Sequence, residues 1–123
     1  MAIALGGSVH QDIGGLAAIN HSQNAPRWAT NHLVRLAHDS RLAAWLQTET
    51  VFTNSFHHQV VNRVPRQLRA AGCTGDGLIE VLESRKKNVF VGVQWHPEEL
   101  FDHEETARLL FQGFIKDVVE VRG

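Results

Sequence analysis

The sequence predicts a single α/β domain, and three observations carry that prediction. Short stretches rich in β-branched and aromatic residues recur along the chain, separated by turn chemistry. A short capped helical segment lies between the first two of them. A long amphipathic helix closes the chain. The length of 123 residues suits one modest domain. With 43% hydrophobic and 20% charged residues, the composition is that of a globular protein able to bury a core.

Residues 1–5 are apolar and stop at Gly6 and Gly7, which reads as the last turn of a helix. Residues 8–13 read as a short extended piece. Residues 14–30 hold Gly, Asn, Ser and Pro with little periodicity and are expected to form a long loop, a kind of segment that tends to be functional or mobile. Residues 32–37 alternate like a strand. Asp39 and Ser40 are candidate caps for a helix over residues 40–47. Strands are expected over residues 51–56 and 67–71, and a turn over 73–77, where Gly75, Asp76 and Gly77 cluster. Residues 78–83 alternate as a strand. Residues 89–94 are apolar on both faces, which predicts a strand covered on both sides. In the last helix Ala107, Leu110, Phe111, Phe114, Ile115 and Val118 share one face, opposite Glu104, Arg108, Gln112, Lys116 and Asp117. Asp102 followed by Glu105 resembles a capping box.

The bulk numbers exclude several classes. A formal net charge of −1 argues against nucleic-acid binding, which needs a basic surplus or patch. No apolar run approaches a membrane span, and the first nine residues lack the basic start of a secretory signal. A lone cysteine, Cys73, permits no intramolecular disulfide and fits a cytoplasmic location.

The chemistry concentrates in VFVGVQWHPE, residues 89–98. A carboxylate two residues beyond a histidine can accept its Nδ1–H, leaving Nε2 to take a proton from a nucleophile. His96 and Glu98 are therefore expected at the carboxyl end of one strand, with side chains in contact. An incidental histidine and acid on a surface turn is the plain alternative. NSFHHQ, residues 54–59, also follows a strand. Adjacent histidines cannot both face one side of an extended chain, so at most one points into a cleft.

NSFHHQ, then DGLIE, then FVGVQWHPEE, in that order, resemble the carboxy-terminal half of class I glutamine amidotransferase domains, of the γ-glutamyl-γ-aminobutyrate hydrolase (peptidase C26) type. The opening IALGGSVHQDI, residues 3–13, resembles the segment that follows the nucleophile helix. The resemblance implies a flavodoxin-like α/β fold, of which residues 1–123 would be the carboxy-terminal part. It implies a Cys-His-Glu triad cleaving a γ-glutamyl amide through a thioester, with His96 as general base and Glu98 as its orienting acid. Ser55, His57, His58 and Gln59 would border the substrate. No cofactor and no metal are implied.

The family's Gly-x-Cys-Arg-Gly elbow would end just before Met1 and does not occur in these 123 residues. The chain alone is then expected to be inactive. It would be completed by a partner polypeptide supplying the missing half, or would serve as a non-catalytic binding or regulatory module. Cys73, in a turn with no helix behind it, is not expected to be the nucleophile. With the central parallel strands elsewhere, the strands at 51–56 and 89–94 are expected to show apolar faces or an open edge. A metal site among the eight histidines is not expected, because no pair has a helical ligand spacing and carboxylates are scattered.

Overall fold

The computed structural model describes residue 2 and residues 6–10, 25–57 and 59–122. All of the expected helix end at 1–5 except residue 2, all of 11–13 and most of the long loop lie outside these residues. The described chain runs β1 (Ser8–His10), β2 (His32–Leu36), α1 (Arg41–Leu46), β3 (Thr50–Thr53), β4 (Val60–Arg63), β5 (Leu68–Thr74), β6 (Ile79–Ser84), β7 (Val91–Val93), a 3-10 turn (Pro97–Glu99) and α2 (Glu105–Arg122). Among the described residues, no helix is long and apolar enough to cross a membrane.

Five strands form one sheet in the order β3-β2-β5-β6-β7, while β1 and β4 form a separate two-stranded ribbon. Every pairing is antiparallel among the described strands. Short turns join β5 to β6 and β6 to β7, as antiparallel neighbours allow, whereas the β2–β3 connection carries α1 and the β2–β5 and β1–β4 pairings join strands distant in sequence. In β6, successive side chains leave opposite faces of the sheet. Val81 joins the larger core with Val34, Leu36, Leu42, Leu46, Trp95 and Leu100. Leu82 joins a second cluster with Ala2 and Leu68, against which Val61 of β4 packs. The sheet thus has the helices on one face and the ribbon on the other.

Helix α1 starts where expected. The Ser40 side chain accepts from Ala43 N, and Gln47 ends the helix in the left-handed conformation. Its first turn contains no acidic residue. Glu83 of β6 supplies one from across the fold, accepting from Arg41 N at 3.0 Å and Leu42 N at 2.9 Å.

Several expectations shift. The strand expected at 51–56 ends at Thr53, and an additional strand forms over Val60–Arg63. Cys73 belongs to β5 rather than to a turn, with Arg35 and Ile79 as its cross-strand neighbours. The strand expected over 89–94 shortens to the three residues of β7, which lies at the sheet edge and is only partly buried. The opposite edge is β3, whose Phe52 is 61% exposed.

Helix α2 starts at Glu105, so Asp102 lies ahead of the cap position. Its buried face is also rotated from the one expected. Asp117 turns toward α1 and accepts from Trp45 Nε1 at 2.9 Å and Arg41 Nη1 at 3.3 Å. Phe114 and Ile115 are exposed instead. The indole N–H on the inner side of α1 needs an acceptor, and that polar demand overrides the apolar stripe.

Gly113 lets the two helices meet. A Cβ there would stand 2.6 Å from both Cβ and Cδ1 of Trp45. Gly113→Ala would gain about 0.8–1 kcal/mol of helix propensity. Overpacking costs typically about 1–3 kcal/mol, and Trp45 Cβ cannot swing aside without moving α1. A net fall in melting temperature is expected; a rise would mean that α1 and α2 separate at little cost.

Candidate active site

The site is built where the chain leaves β7. Gln94 N still donates to Glu80 O at 2.8 Å, so the ladder continues one residue beyond the strand. Trp95 then anchors in the core. Pro97 occupies the first turn of Pro97–Glu99, where its missing N–H costs nothing. His96 is left at the corner.

Asn54, at the exit of β3, fixes the backbone of that corner. His96 N donates to Asn54 Oδ1 at 2.9 Å, and Asn54 Nδ2 donates to His96 O at 3.1 Å and to Arg27 O at 2.8 Å. Both amide protons and the amide oxygen are therefore engaged. Asn54 is fully buried, so these bonds hold without competition from water.

His96 Nδ1 lies 2.8 Å from Glu98 Oε1. An ionised carboxylate only accepts, so a neutral His96 carries its proton on Nδ1 and presents a lone pair at Nε2. The side chains are 40% and 59% exposed. At that exposure the pair orients the imidazole more than it stabilises the fold.

Around them, Phe56 meets His96 edge-on, with ring centroids 6.4 Å apart. The Arg27 guanidinium lies 4.3 Å over the Phe56 ring and donates from Nε to Glu99 Oε1 at 3.1 Å. A basic group, an aromatic platform and a solvent-facing imidazole thus share one surface.

Among the described residues, the NSFHHQ segment reaches His96 through Asn54 and Phe56. Ser55 is fully buried. His57 is turned inward, with Nδ1 2.9 Å from Gln59 O and Nε2 3.1 Å from Glu80 Oε1. Gln59 is exposed. His58 lies outside the described residues. Asn54 and Arg27 were missed because their partners are backbone atoms or aromatic faces distant in sequence, which leave no spacing signature.

Cys73 is set in a central strand, half-buried, and its thiol is pushed above its ordinary range by burial first and by the nearby Glu80 carboxylate second. A nucleophilic cysteine needs the opposite environment. Alkylation of the native chain by iodoacetamide at neutral pH is expected to be much slower than in urea, and to quicken as the pH rises through the thiol's raised pKa. Equal rates in the two states would contradict this placement.

The architecture is that of class I glutamine amidotransferases. The structure of glutamine amido transferase from Methylobacillus flagellatus superposes with a TM-score of 0.67 at 14% identity, over 94% of this chain and 58% of that one. Residues 1–98 match the Peptidase C26 family, and the chain belongs to that family. Protein NtpR of Enterococcus hirae is 37% identical over 120 residues, covering 94% of this chain and 49% of NtpR. Gamma-glutamyl-gamma-aminobutyrate hydrolase PuuD of Escherichia coli is 30% identical over 122 residues, covering 94% of this chain and 48% of PuuD. The chain therefore spans about half the length of these curated relatives.

Proposed function

We propose that these residues form the acid–base half of a γ-glutamyl amide hydrolase whose nucleophilic cysteine comes from a further stretch of polypeptide. The observation that carries the reading is the 2.8 Å contact between His96 Nδ1 and Glu98, which leaves Nε2 facing solvent as a base. His96 takes the thiol proton, and the thiolate attacks the γ-carbonyl carbon. The amine leaves with that proton, and a thioester remains. Water then attacks with His96 as base, and glutamate is released. Glu98 holds the imidazole and offsets its charge while it is protonated. Ser55, His57, His58 and Gln59 of NSFHHQ would border the substrate; Gln59 is exposed, and His57 Nδ1 holds its backbone oxygen at 2.9 Å. The relationship to a γ-glutamyl-γ-aminobutyrate hydrolase supports this substrate class.

Cys73 takes no part, so the 123-residue chain alone is expected to show no turnover of a γ-glutamyl anilide above background. Adding a separate polypeptide that carries a Gly-x-Cys-Arg-Gly elbow is expected to restore it, rebuilding one sheet and one triad. The strands β3 and β7, which end the five-stranded sheet, offer edges for that assembly. Turnover by the chain alone that disappears in Cys73→Ser would make Cys73 the nucleophile and overturn the reading. If the halves associate but remain inactive, the chain is a binding or regulatory module instead.

A further inference from the structure

We propose that His32, His57 and Glu80 form a buried binding site for one divalent transition metal of the zinc type. These residues come from the start of β2, the β3–β4 connection and β6. All three side chains are buried, Glu80 completely. Each offers one ligand atom, and the three atoms lie within 4.8 Å of one another.

The hydrogen bonds orient both rings toward the carboxylate. Gln59 O can only accept, so His57 Nδ1 donates to it, and a neutral His57 presents its Nε2 lone pair to the interior. His32 Nδ1 is engaged by Thr53 Oγ1 at 2.9 Å, which turns its Nε2 inward as well. Outer-shell partners on Nδ1 with Nε2 left for the ion are the usual arrangement of metal-ligating histidines.

The two Nε2 atoms lie 3.1 Å and 3.7 Å from Glu80 Oε1. For a neutral His57 and an ionised Glu80, the shorter of these contacts brings two lone pairs together, which is repulsive unless a cation lies between them. Ligand atoms at about 2.0–2.2 Å from a tetrahedral ion stand roughly 3.3–3.5 Å apart, and the two observed separations bracket that range. A proton on each Nε2 answers the same two contacts, and the metal titration separates that arrangement from one ion held among the three atoms. Two imidazoles and one carboxylate form a donor set suited to zinc rather than to magnesium or calcium. Water would supply a fourth donor. The ion would pin the NSFHHQ segment to the sheet and so steady Asn54, which holds the His96 corner.

The site is tested without the proposed hydrolysis. Tag-free chain, expressed with added zinc and dialysed, is analysed for metal by mass spectrometry. Chelator-treated chain is then titrated with Co2+. The expected results are one ion per chain, the visible absorption bands of four-coordinate Co2+ saturating at one equivalent, and a melting temperature that rises with added Zn2+. Glu80→Gln and His32→Gln are expected to abolish the Co2+ bands, while His103→Ala, a change at an exposed histidine, retains them. Should a buried-site variant fail to fold, the wild-type titration still decides. Wild-type chain that carries no stoichiometric metal and gives no Co2+ bands overturns the proposal, because His57 and Glu80 would then share a proton. Loss of binding in His103→Ala would place the ion on the surface and overturn it equally.

Discussion

In an assembly completed by an elbow cysteine, His96→Ala is expected to lower kcat for a γ-glutamyl amide by about 10²–10⁴-fold, the usual worth of positioned acid–base catalysis. KM should change little, because Nε2 handles a proton that moves only in the reaction. Glu98→Ala is expected to cost far less, on the order of tenfold. The magnitudes differ because Glu98 acts through the imidazole and is 59% exposed, so water partly replaces it. The backbone of His96 is also held independently by Asn54. The deciding measurement is kcat for both variants beside the unmodified assembly. A His96→Ala assembly within a few-fold of the parent would remove His96 from the chemistry, and equal losses would mean that Glu98 does more than orient it.

Glu83→Ala is expected to give a large loss of stability, roughly 2–4 kcal/mol, since leaving a buried donor unsatisfied costs about 1–3 kcal/mol and two are involved. Its carboxylate accepts from two backbone N–H groups at the start of α1, and the side chain is nearly fully buried. Six residues are too few for α1 to persist on propensity alone. Arg69, 3.6 Å from Glu83, keeps Asp39 as a partner at 3.0 Å, so the substitution strands amide donors rather than a buried cation. Glu83→Gln retains one acceptor oxygen and should lose about half as much. Urea denaturation would register this as a lowered midpoint with an unchanged slope. A loss below about 0.5 kcal/mol would mean that water reaches the α1 N-terminus.

The features legible in the sequence are those written over a few consecutive residues. Ser40 caps α1 because a hydroxyl three residues before an amide reaches it without help from the rest of the fold. Glu98 reaches His96 because one proline between them bends the chain back on itself. The alternation of β6 and the long run of α2 depend on their own periods. The antiparallel order of the sheet, the placement of β7 at its edge and the turning of Asp117 toward Trp45 left no such trace. Neither did the corner bond from Asn54, formed across 42 residues, nor the meeting of His57 with Glu80 across 23.

By itself, then, the sequence determined the local elements and the His96–Glu98 spacing, because caps, turns and periodicity act within about one helical turn or one strand. Tertiary structure alone decided which buried polar groups meet. A buried amide, imidazole or carboxylate must find a partner wherever packing brings one, and packing joins residues by position in space, not by position in the chain.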